Sequence, residues 1–179
     1  MGARRLFYAL WPDEPVLDGL AAVQQRHRDA GRPVPRDRLH LTVLFLGEAD
    51  PRIAAAAGAA AAAWGGPLRL ELDTLGYFAK SRVVWAGATA CPEPLIALHR
   101  ALYRELRRCG VRVGRSRLVP HVTLFRKARP VRGAITEVPE WRVDRITLVS
   151  SRREAAGPIY SMEAEWRLGR GGIPECDVE

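Results

Sequence analysis

The sequence predicts an α+β fold in which two similar lobes face each other. The four-residue pattern His, apolar, Thr, apolar occurs twice, as HLTV at 40–43 and as HVTL at 121–124. A predicted strand, a helix and a loop with proline precede each copy, in the same order. This repeated order of elements indicates two halves of related structure, each ending in the same motif.

The first unit reads as strand, helix, strand. A short strand is predicted at residues 4–10, and an apolar repeat at helical spacing then predicts a helix up to about residue 30, stopped by Gly31. Prolines hold the next segment in an extended loop. The dense apolar run at 39–46 predicts a strand that Gly47 closes.

The middle of the chain links the two units. Residues 51–64 are mostly alanine. Alanine has high helix propensity but little side chain to pack, so this composition favours a thin, peripheral helix. Two strands are predicted next, at 68–75 and 82–88. Gly76 and Tyr77 are expected in the loop between them.

The second unit repeats the order of the first. Prolines open a predicted helix at about residue 92, its leucines recur at helical spacing, and it ends at Gly110. The motif strand follows at 121–125, and two further strands, at about 141–150 and 160–168, complete the sheets.

Length and termini favour a single domain. A chain of 179 residues is long enough to bury a substantial core, so we expect residues 1–179 to form one two-lobed domain. The tail from about residue 169 is glycine-rich and polar, and we expect it to be flexible.

Charge points to an anionic partner. The formal net charge is +8, as expected of a protein that meets polyanions. All but two of the cations are arginine, however, and such a skew also arises from genome base composition. Charge alone therefore leaves both interpretations open.

The cysteines and the apolar segments indicate a cytoplasmic protein. Cys91, Cys109 and Cys176 are odd in number and form no CxxC pair, which argues against a disulfide scaffold and against a thiolate metal site. No apolar run is long enough to span a bilayer, and the apolar stretch near the N-terminus is too short for a signal peptide.

The two motifs place chemistry on one face of each strand. Side chains alternate along a strand, so His40 shares a face with Thr42, and His121 with Thr123. If the lobes face each other, two imidazoles and two hydroxyls surround one cavity that suits a phosphate. Because the ordinary pKa of histidine is about 6.5, one ring can accept a proton while the other donates one, as phosphodiester cleavage requires. The hydroxyls can donate to the non-bridging oxygens.

Two more residues are candidates for substrate binding. Arg126 lies five residues after His121 and could hold phosphate oxygens with its guanidinium. Strict alternation turns it away from the histidine face, so it reaches the cavity only if the strand ends or bulges first. Phe45 has the same offset from His40, and an aromatic ring there could stack on a nucleobase.

The chain resembles the two-histidine phosphoesterase superfamily, and within it the RNA 2′,3′-cyclic phosphodiesterases, also called 2′-5′ RNA ligases. The resemblance covers nearly the whole chain and rests on these segments: RRLFYALWP, DRLHLTVLFLGE, SRVVWAG, PHVTLFRKA and ITLVSS. It implies a bilobal fold with antiparallel sheets around a central cleft, and helices outside. It also implies two catalytic histidines, phosphate contacts from both threonines and from Arg126, and no metal or other cofactor.

The resemblance further implies a division of roles and a class of substrate. His121 would be the base that activates water, and His40 the acid that protonates the leaving 3′-oxygen. Arg126 supplies a modest physical reason, because a cation near His121 would disfavour protonation of that ring. The implied partners are RNAs with 2′,3′-cyclic phosphate ends, tRNA fragments among them, and the protein is expected to be a monomer.

Three alternatives remain open from the sequence. The chain could bind RNA ends or tRNA without turning them over, or His40 and His121 could be metal ligands. The motif lacks the second histidine of the usual metal pairs, and no nearby carboxylate supplies a third ligand. Within the superfamily, 2′-5′ oligoadenylates and other cyclic nucleotides are alternative substrates, because the motif defines the reaction better than the substrate.

Overall fold

The computed structural model describes residues 3–114, 117–154 and 157–169, so the predicted flexible tail beyond residue 169, with Cys176, lies outside the described residues. Three α-helices occur within these ranges: α1 (Glu14–Arg26), α2 (Pro51–Trp64) and α3 (Glu93–Arg108). The strands are β1 (Arg4–Leu10), β2 (Arg32–Pro33), β3 (Leu41–Ala49), β4 (Leu68–Leu70), β5 (Thr74–Phe78), β6 (Val83–Gly87), β7 (His121–Arg126), β8 (Gly133–Ala134), β9 (Trp141–Val143), β10 (Arg145–Glu154) and β11 (Gly157–Arg167).

Most of the strands form one antiparallel sheet. Its order is β11-β10-β1-β3-β7-β6-β5-β8, and β2 also pairs with β7. The halves meet where β3 pairs with β7, through Leu41 and Val122. The predicted α+β class with two lobes is confirmed, and the lobes are the two halves of this sheet.

The internal repeat is visible in the topology. In the first half β1 leads through α1 to β3, and β1 is hydrogen-bonded to β3. In the second half β6 leads through α3 to β7, and β6 is hydrogen-bonded to β7. The motif strand of each unit thus lies at the inner edge of its own half of the sheet. The two motifs therefore lie on neighbouring strands at the centre of the whole sheet.

The ends of α1 follow local capping chemistry. The carboxylate of Asp13 accepts a hydrogen bond from the backbone N–H of Val16 at 3.2 Å, which satisfies a free donor of the first turn. The helix ends at Arg26, earlier than the predicted end near residue 30. Ala30 belongs to the following turn, where its N–H donates to the carbonyl of His27 and its own carbonyl accepts from Arg129.

The alanine-rich helix has the predicted bounds but is not peripheral. Its inner side is fully buried, because small side chains let α2 approach the sheet closely. A Cβ added at Gly58 would lie 2.6 Å from the ring of Trp166. The hydroxyl of Tyr8 donates to the carbonyl of Ala54 at 2.6 Å, which ties α2 to β1.

Two predicted strands are each divided in the structure. The segment at 68–75 forms β4 and β5, and the segment at 141–150 forms β9 and β10. The separation arises because β4 and β9 pair in a small second sheet, whereas β5 and β10 belong to the large one. Gly76 and Tyr77 lie within β5, and the turn to β6 comes later, where Arg82 donates to the carbonyl of Ala79.

Two other strand bounds also differ from the prediction. β3 continues through Gly47, where φ is +74°, to Ala49. β11 begins at Gly157, because it pairs along nearly the whole length of β10. Hydrogen bonding to a neighbouring strand, which the sequence pattern does not show, sets both bounds.

Glycines make room for an indole beside the second motif. A Cβ added at Gly76 would overlap the ring of Trp85, and one at Gly87 would lie 2.6 Å from it. Trp85 in turn lies 5.9 Å from His121 between ring centroids. The absence of side chains at these two positions thus allows Trp85 to contact the motif histidine.

We predict that Gly76→Ala lowers the free energy of unfolding by about 1–3 kcal/mol, because the added methyl group displaces Trp85 from a packed position. Urea unfolding of the variant measures this. Gly66→Ala is the matched control, since no atom lies within 4 Å of its added Cβ. Equal stability of the two variants would contradict the proposed packing.

Candidate active site

The four motif side chains meet at one cavity of about 550 Å³. His40 immediately precedes β3, and His121 is the first residue of β7. Because Leu41 pairs with Val122 in antiparallel register, His40 lies across from Thr123 and Thr42 across from His121. The arrangement is crossed, with each imidazole beside the hydroxyl of the other motif. The predicted convergence of these four residues on one cavity is thus found in the structure.

Each imidazole is held by a hydrogen bond of the same kind, from Nδ1 to a backbone carbonyl two residues earlier in the chain. Nδ1 of His40 donates to the carbonyl oxygen of Arg38 at 2.8 Å, and Nδ1 of His121 donates to that of Val119 at 2.7 Å. A carbonyl oxygen only accepts, so Nδ1 carries the proton in each ring. Nε2 is therefore the atom that each ring offers to a substrate, as an acceptor when neutral and as a donor when charged.

Aromatic side chains enclose both histidines. The ring of His40 lies 5.2 Å from that of Phe7, 5.1 Å from that of Trp11 and 5.2 Å from that of Tyr160, between centroids. His121 lies 5.1 Å from Phe78, in an edge-to-face arrangement. These walls fix the orientation of both imidazoles and withdraw them from water.

Burial disfavours the charged form of both rings. It lowers the pKa of His40 to about 4, and the nearby positive charges of Arg126 and His121 add to the effect. Burial also lowers the pKa of His121, against the opposing effect of its hydrogen bond to Val119. Both imidazoles are therefore neutral at neutral pH when the cleft holds no anion.

The expected influence of Arg126 on His121 is wrong. Its positive charge lowers the pKa of His40, the histidine of the other motif, and not that of His121. Proximity in sequence was misleading because β7 runs antiparallel to β3. It passes His40 between His121 and Arg126, so Arg126 lies closer to His40. The charges of the protein thus give no electrostatic reason for His121 to be the less protonated ring.

A β-bulge in β3 brings Phe45 to the cleft. Ala9 pairs with Thr42, but the next residue back, Tyr8, pairs with Leu44, so Val43 is an extra residue. The bulge reverses the alternation of side chains. Phe45 therefore emerges on the same side as Thr42, 45% exposed, and lines the cavity.

The same bulge occurs in β7 and brings Arg126 to the cleft. Trp85 pairs with Thr123 and Val84 with Phe125, so Leu124 is the extra residue. Phe125 turns into the core, where it is 1% exposed, and Arg126 lines the cavity. The bulge considered from the sequence is present, and it makes Phe45 and Arg126 equivalent positions of the two motifs.

Further cations border the cleft, and sequence reasoning did not single them out. They are Arg5, Arg32, Arg38 and Lys127. Lys127 follows Arg126 directly, yet both line the cavity, because the backbone of Lys127 takes the left-handed conformation with φ +52°. The high net charge was the available signal, but it carries no positional information.

Some of the aromatic residues around the histidines could have been predicted from the sequence. Phe7 and Trp11 belong to the segment RRLFYALWP, and Trp85 to SRVVWAG, both of which carried the family resemblance. Tyr160 has no such signal. Its contact with His40 depends on the pairing of β11 with β10 and of β10 with β1.

Neither a metal cluster nor a membrane helix is found in the described part of the chain. No three His, Cys, Asp or Glu side chains within residues 3–114, 117–154 and 157–169 are placed to hold a metal ion together. In the same ranges, each helix is too short or too polar to cross a bilayer.

Comparison with known sequences assigns the chain to a family. The model of the 2′-5′ RNA ligase superfamily matches residues 11–155. The chain is 32% identical to the RNA 2′,3′-cyclic phosphodiesterase of Escherichia coli (strain K12), over 92% of this chain and 97% of that protein. It is 32% identical to the protein of the same name from Thermus thermophilus, over 97% of this chain and 100% of that protein.

Solved structures show the same fold. The apo form of LigT from E. coli superimposes with a TM-score of 0.84 at 29% identity, covering 94% of this chain and 99% of that one. The protein TT0787 of T. thermophilus gives a TM-score of 0.80 at 32% identity, covering 92% of this chain and 98% of that one. The likeness extends over both halves of the sheet.

We predict that His40 titrates near pH 4 and that both motif histidines at pH 7 carry their proton on Nδ1. Long-range ¹H–¹⁵N NMR spectra measure the tautomer and the titration together. Added inorganic phosphate should raise the pKa of His40, because an anion beside the ring favours its charged form. A pKa of about 6.5 in the free protein, or a proton on Nε2 at pH 7, would contradict the described environment.

Proposed function

The chain belongs to the 2′-5′ RNA ligase superfamily, and we propose that it is an RNA 2′,3′-cyclic phosphodiesterase whose two cleft histidines act as acid and base. The observation that carries the proposal is the crossed arrangement of two Nε2 atoms and two threonines around one cationic cavity. The names and the near full-length coverage of the relatives support it. LigT of E. coli has also been crystallised with phosphate and with 3′-AMP.

The cleft residues have complementary tasks toward a cyclic phosphodiester anion. The hydroxyls of Thr42 and Thr123 donate to the non-bridging oxygens, and the guanidinium of Arg126 balances the charge that increases there in the transition state. Displacement at phosphorus needs the attacking and leaving oxygens on opposite sides. Two imidazoles from neighbouring strands supply one proton acceptor and one proton donor for those two oxygens.

The reaction balances with protein groups alone. Water gives a proton to one Nε2 while its oxygen bonds to phosphorus, and the bond from phosphorus to the 3′-oxygen breaks. The 3′-oxygen takes a proton from the other Nε2, which leaves a 2′-phosphate. When the 5′-hydroxyl of a second RNA attacks in place of water, the product is a 2′-5′ linkage, so one site serves hydrolysis and ligation.

We assign the base to His121 and the acid to His40, on the family resemblance. In the protein alone the pKa of His40 is lowered to about 4, so the acid must gain its proton as substrate binds. A bound phosphodiester neutralises Arg126, one of the causes that lower this pKa, and adds a negative charge beside the ring. Binding of the anion is thus what prepares His40 to donate.

The substrate class and the extent of the catalytic unit follow from the same features. RNAs with 2′,3′-cyclic phosphate ends, including tRNA fragments, suit a cationic cleft that also presents Phe45. Both halves of the sheet supply acid, base and phosphate contacts, so we propose that they act as one catalytic domain. The monomeric state and the cytoplasmic location stay predictions.

We predict that His40→Ala and His121→Ala each lower turnover of a 2′,3′-cyclic phosphate by about two to four orders of magnitude, the range for losing a general acid or base. Steady-state kinetics with excess chelator present measures the effect. His27→Ala is the matched control, because His27 lies at the end of α1 and does not border the cavity.

The same assay separates the alternatives. Rates like those of the unmodified protein in either motif variant would refute the two-histidine mechanism. Loss of activity in chelator that divalent metal restores would favour histidines as metal ligands. Tight binding of the RNA end without turnover would favour a non-catalytic binding protein.

The assignment of roles makes a separate prediction. A substrate with sulfur in place of the bridging 3′-oxygen should largely rescue His40→Ala but not His121→Ala, because a thiolate leaves without a proton. Comparing the rates of both variants on the oxygen and sulfur substrates measures this. Rescue of His121→Ala instead would reverse the roles, and rescue of neither would show that the histidines do not protonate the leaving group.

A further inference from the structure

The cavity extends well beyond the four motif side chains, and Arg5 lies at its far end. Along β1, Arg5 and Phe7 share a face, and Phe7 contacts His40. The guanidinium carbon of Arg5 lies 4.8 Å from the centroid of the Phe45 ring. A cation at this distance from a ring face is attracted to it. Phe45 therefore holds Arg5 at the edge of the cleft.

Arg5 is too far from the motif histidines to hold the same phosphate. Arg5 pairs with Glu48, whereas Ala9 of the same strand pairs with Thr42, which lies across from His121. At about 3.3 Å per residue, the four residues from Ala9 to Arg5 put the backbone of Arg5 roughly 13 Å from His121 along the sheet, and farther still from His40. A cyclic phosphate between the two imidazoles contacts Arg126 instead. Arg5 is thus placed for a different part of the substrate.

The charge of Arg5 has no partner among the described residues. Its cross-strand neighbour is Glu48, yet no carboxylate of the described chain lies within 4.0 Å of its guanidinium. The adjacent Arg4, in contrast, pairs with Glu163 at 2.8 Å. The cavity's acidic residue, Glu154, is paired with Arg152 at 2.9 Å. Arg5 therefore keeps its N–H donors available for an anion in the cleft.

We propose that Arg5, held over Phe45, binds the phosphodiester that links the terminal nucleotide of the substrate to the preceding one. The inference rests on the proposed function and adds a substrate preference to it. A guanidinium can hold two phosphate oxygens at once. A nucleoside 2′,3′-cyclic phosphate lacks this linkage, whereas an RNA end has it. Arg5 makes the cleft select an RNA chain over a mononucleotide.

The test is the ratio of kcat/KM for a dinucleotide with a 2′,3′-cyclic end to kcat/KM for the corresponding cyclic mononucleotide. Arg5→Ala should lower this ratio by about ten- to a hundredfold, the range expected for one hydrogen-bonded charge contact. Arg5→Lys keeps the charge but not the planar fork, so it should lower the ratio less. Arg4→Ala, which removes the same charge one residue away, should leave the ratio as it is.

Salt dependence gives a second readout. For the dinucleotide, the slope of log kcat/KM against log salt concentration should become shallower by about 0.7 in Arg5→Ala, since one phosphate contact is lost. An unchanged ratio in Arg5→Ala, or an equal fall in Arg4→Ala, would overturn the proposal. Failure of the unmodified protein to hydrolyse even the mononucleotide would refute the proposed function itself, which is a distinct result.

Discussion

The antiparallel contact between β3 and β7 is the feature on which the site depends. Pairing of Leu41 with Val122 sets the register of the two motifs, and the register sets each imidazole across from the other motif's threonine. A slip of one residue would turn the two side chains of one motif to the opposite face of the sheet from the two of the other motif. β3 and β7 pair over only a short length. The longer pairings of β1 with β3 and of β6 with β7 must therefore hold the two strands in place.

Electrostatics and packing in the cleft are adapted to an anion. Burial among aromatic side chains favours the neutral form of both imidazoles, and a pair of like charges is thereby avoided. The surrounding arginines and Lys127 give the cleft a positive charge, which favours an anionic ligand. Backbone carbonyls fix the tautomer and leave Nε2 as the nitrogen of each ring that is free of this hydrogen bond.

Much of the fold and of the site was predictable because the chain repeats itself. The duplicated motif indicated two related halves, and strand alternation placed His40 with Thr42 and His121 with Thr123. The bulges at Val43 and Leu124 were not determined by local sequence, because they appear only in the register with neighbouring strands. The same is true of the division of residues 141–150, and of Tyr160, which reaches His40 only through the order of strands in the sheet.

The paired use of the two histidines is tested most directly by the pH dependence of kcat/KM for a cyclic mononucleotide. This quantity reports the ionisation of both rings in the free enzyme, and the form that reacts has one ring protonated and the other neutral. Both pKa values are lowered, that of His40 to about 4, so a bell with its maximum below about pH 6.5 is expected. Activity should fall on the acid side as both rings are charged and on the alkaline side as both become neutral. A flat profile, or a single limb, would contradict acid and base catalysis by this pair.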